Sequence, residues 1–283
     1  MLILAPMKFK LAKGVLIRPS KFIVNKNHLL IGLILLIICI SISQCKPRST
    51  TTTINIFAAA SLADLLYKIE AEYESENKTI DLHISYGGSN LLAQQIIKGA
   101  PADLFMPAGI GPLEVLNKEI KKNHQIYPFI SNELVLVLHP DTQLAITDIS
   151  ELATVDVTRF AIADPKLAPA GEYSKAVLEN YNLWEFLKQK LILAQDVRTA
   201  LTYVSSGNAE IGIVYATDAI SKPELSLIKI PVDSYPKIEY PIILINSENN
   251  GNEIKNLIDY LLSEKTKSPI LKYGFTKIEH LAP

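Results

Sequence analysis

Cysteine is scarce in this sequence and confined to its N-terminal part. The chain of 283 residues holds two cysteines, Cys39 and Cys45, and none follows them. The rest of the chain therefore has no internal disulfide and no thiolate metal site. Its folded stability has to come from burial and hydrogen bonds.

An excess of charge of either sign is also missing. The chain carries 28 Lys and Arg against 29 Asp and Glu, which gives a formal net charge of −1. This balance provides neither a basic field that would attract nucleic acid nor an acidic solvating tail. We therefore expect no nucleic-acid partner.

Motifs of the common catalytic classes do not occur. The sequence has no H-E-x-x-H, no G-x-S-x-G and no phosphate-binding P-loop. The histidines are scattered without paired spacing, at His28, His83, His124, His139 and His280. We expect them to serve packing or surface roles, and we expect neither a cofactor nor an enzymatic activity.

The N-terminal part of the chain has the pattern of an export signal. Residues 8–28 contain several basic residues and no acid, and an apolar run from Leu29 to Ile40 follows. A basic region, an apolar run and small polar residues together make a secretory signal. A permanent transmembrane anchor is the alternative, although the run is short against the roughly 20 residues that a span needs.

Cys45 refines this prediction. The segment Ile42-Ser43-Gln44-Cys45 resembles the lipobox of bacterial lipoproteins, although Gln44 stands where that motif usually has Gly, Ala or Ser. We assign residues 1–45 to export and the polar residues 46–53 to a flexible tether. A lipid on Cys45 would hold the folded body outside the cytoplasmic membrane, in the periplasm or at the cell surface.

Strand and helix patterns alternate from residue 54 onward. Apolar strands are predicted at 54–60, 80–86, 103–108 and 133–138, with helices between them, and a second series runs from 160 to 263. This alternation predicts an α/β fold with mostly parallel sheets flanked by helices. Two series predict two lobes joined by hinge strands, with lobe I at 54–135 and 243–283 and lobe II at 136–242.

Four predicted strands end in a short turn that opens a helix. The turns are Ala58-Ala59-Ala60-Ser61, Gly87-Gly88-Ser89-Asn90, Pro169-Ala170-Gly171 and Gln195-Asp196-Val197-Arg198. Ligands of open α/β sheets bind outside the carboxyl ends of the strands, and helix N-termini suit anions. Each turn alone is more often a helix cap, but together they predict a pocket for a small tetrahedral anion.

The segments around these turns resemble the molybdate-binding proteins of ABC transporters over almost all of residues 54–276. The matching stretches are Phe57–Leu62, Gly88–Ile96, Gly99–Phe105, Asn132–Val137, Pro169–Tyr173, Ala194–Arg198, Gly207–Asp218 and Lys272–Phe275. The chain departs from the family after Ala108, where an acidic residue is common and this sequence has Gly109-Ile110-Gly111-Pro112.

The resemblance implies a two-lobed periplasmic-binding-protein fold of type II that closes on its ligand between the lobes. It also implies that the anion accepts hydrogen bonds from the hydroxyls of Ser61, Ser89 and Tyr215 and from the backbone N–H groups of Ala170 and Val197. The expected ligand is molybdate or tungstate, and the expected partner is the permease of an ABC importer. We expect the protein to be a monomer.

Two alternatives stay open. The same fold could bind sulfate, another oxyanion or a small organic acid, and an organic acid would call for an arginine clamp, for which Arg198 is the nearest candidate. A hydrolase would need a base near Ser61 or Ser89, which folding could bring there. Phosphate fits less well, because a donor-only site leaves its proton unpaired at a cost of about 1–3 kcal/mol.

Overall fold

The structure, a computed structural model, describes residues 51–120, 124–246, 248 and 250–278. The predicted export segment and the predicted lipidation site at Cys45 lie outside these residues. Among the described residues, no helix combines the length and the apolar character needed to span a membrane.

The described residues form two sheets whose strands are separated by helices. The strands are β1 (Thr52–Ala59), β2 (Ile80–Gly87), β3 (Leu104–Met106), β4 (Gln125–Asn132), β5 (Leu134–Leu138), β6 (Phe160–Ala163), β7 (Leu191–Ala194), β8 (Ile211–Tyr215), β9 (Ser226–Lys229), β10 (Ile238–Leu244) and β11 (Thr276–Lys277). The helices are α1 (Ala63–Glu76), α2 (Ser89–Ile97), α3 (Gly111–Ile120), α4 (Pro169–Asn180), α5 (Trp184–Leu187), α6 (Val197–Ser205), α7 (Ala216–Ala219), α8 (Gly251–Leu262) and α9 (Lys267–Lys272).

Each sheet is the centre of one lobe, as the sequence predicts. The first lobe has six strands in the order β11-β4-β10-β3-β1-β2, and the second has five in the order β7-β6-β8-β5-β9. The helices pack by their apolar stripes: in α6, Val197, Ala200, Leu201 and Val204 are buried at the spacing of one helix face. The fold is therefore the expected two-lobed α/β fold.

The sheets are mixed, whereas the sequence predicts mostly parallel ones. Parallel pairing joins β1 to β2 and β3, and β6 to β7 and β8. β10 is antiparallel to β3 and β4, and β5 is antiparallel to β8 and β9. The path of the chain explains this antiparallel pairing, because β5 and β10 each begin where the chain enters one lobe from the other lobe. They therefore run away from the edge at which the parallel strands end.

The chain crosses between the lobes twice. It leaves the first sheet after Asn132 and enters the second at Leu134, and it returns between Lys229 and Ile238. The boundaries predicted from the sequence, 135/136 and 242/243, fall inside β5 and β10. The two crossings contact each other, because the Tyr235 hydroxyl accepts a hydrogen bond from the Leu134 N–H at 3.0 Å.

Candidate functional site

A small cavity lies between the lobes, at the ends of strands from both sheets. Its interior volume is about 10 Å³, close to the space that one water molecule needs. All five ligand-binding residues predicted from the sequence line it: Ser61 and Ser89 from the first lobe, and Ala170, Val197 and Tyr215 from the second. We call it the interlobe cavity.

Ser61 reaches the cavity from the end of β1. It lies in a single 3-10 turn, Ala60–Leu62, that connects β1 to α1, and it is buried. Its Oγ lies 3.0 Å from the hydroxyl of Tyr240, a buried residue of β10. The small side chain of Ala60 beside it also lines the cavity, so the backbone can come close to a bound group.

Ser89 reaches the cavity as the first residue of α2. Gly88 is the N-cap of this helix, and the Ser89 side chain is buried. Its Oγ accepts a hydrogen bond from the Ala108 N–H at 3.1 Å. Because this contact occupies a lone pair of the oxygen, the hydroxyl hydrogen remains available for an acceptor in the cavity.

Ala170 and Val197 lie in the first turns of α4 and α6. The first N–H groups of a helix have no partner within it and carry the positive end of the helix dipole. In α6 the Asp196 side chain caps the Thr199 N–H at 2.8 Å, so its carboxylate is held at the third N–H. As the first N–H of the helix, that of Val197 has no partner within α6 and can donate to a group in the cavity.

Tyr215 is the last residue of β8 and is almost fully buried. Its hydroxyl has no hydrogen-bond partner among the described residues. Burial raises the pKa of Tyr215 well above its ordinary value, so the group stays a donor. A buried donor without an acceptor costs about 1–3 kcal/mol, and an acceptor bound in the cavity would relieve that cost.

No lysine or arginine lines the interlobe cavity in the described part of the chain. Arg198 follows Val197, but its Nε donates to Asp218 Oδ1 at 3.0 Å and its NH2 to Asp64 Oδ2 at 2.6 Å. Both contacts direct the guanidinium to carboxylates and not to a ligand. The predicted candidate for an arginine clamp is therefore already paired.

Asp218 is a fully buried carboxyl group of the second lobe. Its Oδ2 has no partner among the residues that the structure describes. Burial raises the pKa of Asp218 to about 7, while Arg198 acts in the opposite direction. Near neutral pH this buried carboxyl group is therefore only partly charged.

The lobes are in contact around the cavity. The Leu91 N–H donates to Leu167 O at 3.1 Å, and Asn90 Nδ2 donates to Pro165 O at 3.2 Å. At Gly88, an added Cβ would lie 2.5 Å from the carbonyl oxygen of Leu167, a contact that no side chain tolerates. These contacts belong to a closed cleft.

The sequence does not predict three contacts of the site. The Ala108 N–H positions Ser89, and Tyr240 with Asn132 lies behind Ser61. Asn132 falls in one of the resembling stretches, but the sequence pattern there indicates only a strand boundary. Tyr240 has no signal of its own, because its spacing in β10 is that of an ordinary core residue.

The contacts of the two serines do not support a hydrolase. Ser61 contacts Tyr240 and Ser89 contacts Ala108, and the described residues place no histidine or carboxylate within hydrogen-bond distance of either hydroxyl. The described residues also contain no group of three or more His, Cys, Asp or Glu side chains that could hold a metal ion.

A two-lobed α/β fold with a small donor-lined cavity between its lobes defines a class of binding proteins that close on a solute. The chain belongs to the bacterial extracellular solute-binding proteins, whose family pattern matches residues 54–276. It is therefore a transport-related binding protein and not an enzyme.

Two similar proteins have names that fit this family. The molybdate-binding protein ModA of Escherichia coli is 34% identical over 229 residues, which cover 79% of this chain and 88% of the relative. A Bacillus subtilis protein provisionally named as the ABC transporter substrate-binding lipoprotein YvgL is 33% identical over 241 residues, 84% of this chain and 92% of the relative.

A solved structure shares the fold. The periplasmic molybdate-binding protein of Azotobacter vinelandii superposes with a TM-score of 0.71 at 21% identity, and the match covers 80% of this chain and 100% of that chain. At this identity the likeness establishes the two-lobed architecture.

Proposed function

We propose that the protein binds molybdate in the interlobe cavity and delivers it to the permease of an ABC importer. The observation that carries this proposal is the Tyr215 hydroxyl, a buried and protonated donor that has no partner among the described residues and lines the same cavity as Ser61 and Ser89. Hydroxyl and helix-start N–H groups around one small space suit an anion that only accepts hydrogen bonds.

The protonation state of the anion separates the candidate ligands. Molybdate carries no proton near neutral pH, whereas phosphate usually carries one that would find no acceptor among these donors. Tungstate has the same charge and shape, and we propose that it binds as well. The names of the relatives in E. coli and A. vinelandii support molybdate.

Sulfate is the second candidate, since it is also free of protons and differs from molybdate mainly in size. A small organic acid is less well supported, because Arg198 is engaged by Asp64 and Asp218. Discrimination between sulfate and molybdate rests on the dimensions of the closed cavity.

We further propose that a lipid on Cys45 tethers the binding body outside the cytoplasmic membrane and that the body works as a monomer. The lipobox-like segment and the lipoprotein name of the B. subtilis relative support the tether. A cavity completed within one chain supports the monomer. Cys45→Ser should release the protein from the membrane fraction, and retention there would contradict the tether.

Thermal unfolding with a panel of oxyanions tests the proposed ligand. A ligand at about 1,000 times its Kd that binds only the folded state adds about 4 kcal/mol of stability. For a body of this size that corresponds to a rise in Tm of roughly 8 °C or more. We expect this rise with molybdate and tungstate and a much smaller one with phosphate. No rise with the first two at saturating levels would overturn the proposal.

A further inference from the structure

The hydroxyl of Ser61 is the last member of a chain of hydrogen bonds that begins where the chain crosses between lobes. Asn132 ends β4, and its Oδ1 accepts a hydrogen bond from the Glu133 N–H at 2.9 Å. This contact fixes the orientation of the amide. Its Nδ2 then donates to Thr217 Oγ1 at 2.8 Å and to the Tyr240 hydroxyl at 3.1 Å.

The number of available hydrogens sets the direction of the next bond. Tyr240 is fully buried, and its oxygen already accepts from Asn132. If Ser61 donated across the 3.0 Å contact, the phenol hydrogen would have no acceptor within hydrogen-bond distance among the described residues, since the neighbouring Tyr215 hydroxyl makes no such contact. Leaving a buried donor unpaired is unfavourable. When an anion is bound, every hydrogen has an acceptor only if Tyr240 donates to Ser61 and Ser61 donates into the cavity.

We propose that Asn132 and Tyr240 are positioning residues that make Ser61 a donor and so determine the selectivity of the site for anions without protons. The inference rests on the proposed binding of an oxyanion. Tyr240 occupies one of the two lone pairs of Ser61, and with its hydrogen directed into the cavity the hydroxyl presents a donor, and not an acceptor, to the proton of a hydrogen phosphate. The hydrogen-bonded chain of Asn132, Tyr240 and Ser61, which we call the relay, thus disfavours anions that carry a proton in addition to binding those that carry none.

The surroundings hold this relay in place. The ring of Tyr240 packs edge-on against Tyr215 and Phe275, with centroids 5.9 and 5.6 Å apart. Burial raises the pKa of Tyr240 above its ordinary value, so the phenol remains protonated. Because Asn132 also contacts Thr217 of the second lobe, the relay is anchored on both sides of the crossing.

A double-mutant cycle on ligand affinity tests the relay. Tyr240→Phe is made in the wild-type and in the Ser61→Ala background, and molybdate and phosphate are titrated calorimetrically. We expect a loss of about threefold to tenfold in molybdate affinity in the wild-type background, the effect of one hydrogen bond. In the Ser61→Ala background the loss should be under about twofold, because the tyrosine acts through the serine.

The preference for molybdate over phosphate is the second readout. Tyr240→Phe frees Ser61 to accept a proton-bearing oxygen, so the ratio of the two affinities should fall by about threefold or more. Tyr235→Phe is the matched control: it removes a buried hydroxyl that contacts the Leu134 N–H outside the cavity. It should change the ratio by less than about twofold.

Asn132→Ala provides an independent variant if Tyr240→Phe folds poorly. It should weaken molybdate binding by a similar factor and add nothing in the Tyr240→Phe background. If Tyr240→Phe lowers the molybdate affinity equally in both backgrounds and leaves the anion preference unchanged, the relay is wrong while the proposed function stands. A wild-type protein that binds no oxyanion would overturn the proposed function together with it.

Discussion

Tyr215 bears most directly on ligand binding, because its buried hydroxyl lines the interlobe cavity and has no hydrogen-bond partner among the described residues. The resemblance places this hydroxyl in the ligand set, but no spacing rule predicts that environment. That property depends on what the other lobe places around it. The contacts of Ser61 and Ser89 could not be predicted from the sequence either, because their partners, Tyr240 and Ala108, are distant from them in the sequence.

Tyr215→Phe should separate binding from stability. Removing a donor to a charged acceptor weakens molybdate binding by about 1.5–3 kcal/mol, which is roughly tenfold or more. The ligand-free protein should keep or gain stability, because the variant removes an unpaired buried hydroxyl. Calorimetric titration and chemical unfolding check the two effects. A loss of ligand-free stability with unchanged affinity would show that the hydroxyl has a structural partner.

The elements that carry the site were predictable because each joins an apolar strand to a periodic helix. The strand before Ser61, the helix behind Ser89 and the α6 helix lie within a few residues of their predicted positions. β4 was missed, since Gln125–Asn132 contains Pro128 and is largely exposed over its first half. Without β4, the sequence could not place the first crossing or the antiparallel part of the first sheet.

Gly171→Ala should displace the start of α4. An added Cβ would lie 2.3 Å from the carbonyl oxygen of Ala163 and 2.5 Å from the nitrogen of Pro165, both backbone atoms that cannot rotate away. We expect a loss of about 1–3 kcal/mol in the free energy of unfolding and weaker molybdate binding, because the Ala170 N–H moves with the helix.

Gly111→Ala is the matched control for that variant. It also lies in the first turn of a helix, but its Cβ would meet only Glu172 Oε2 at 3.8 Å. Unfolding by denaturant and titration should therefore give values close to wild type for Gly111→Ala. Equal effects of the two substitutions would show that the tight packing of the α4 start does not matter.

Closure of the two lobes is the property of the whole molecule on which binding depends. Contacts between Leu91 and Leu167 and between Arg198 and Asp64 join the lobes beside the cavity. The sequence predicted two lobes and a hinge, but which surfaces meet follows only from the folded structure. The glycine of the α2 turn, Gly88, lies directly against the backbone of Leu167 and Gln195 in the opposite lobe.

Gly88→Ala should bind ligand poorly although each lobe stays intact. Its Cβ would meet Leu167 O at 2.5 Å and Gln195 O at 2.7 Å, and both oxygens belong to the opposite lobe. The variant can relieve the clash by opening, so we expect at least a tenfold loss of affinity, on the order of 1.4 kcal/mol, with little change in ligand-free Tm.

Gly111→Ala is again the control, since its Cβ would meet only Glu172 Oε2 of the opposite lobe, at an ordinary 3.8 Å. Small-angle scattering with molybdate should show closure for wild type and Gly111→Ala and a more open particle for Gly88→Ala. A Gly88→Ala protein that closes and binds normally would contradict the closed arrangement of the lobes.

Asp218 should make stability depend on pH in an unusual direction. Burial raises its pKa from 3.8 to about 7, so between these values the folded state holds a proton that the unfolded state has lost. The free energy of unfolding contributed by this group therefore falls as the pH rises from about 4 to 7. Asp218→Asn should flatten the slope of stability against pH in this window. An unchanged slope would show that Arg198 keeps the carboxyl group ionised.

Crystals grown with molybdate would show where the ligand binds, because molybdenum is located by its anomalous scattering. We expect one strong anomalous peak in the interlobe cavity, within hydrogen-bond distance of the hydroxyls of Ser61, Ser89 and Tyr215 and of the N–H groups of Ala170 and Val197. A peak elsewhere on the protein, or an empty cavity at saturating molybdate, would contradict it.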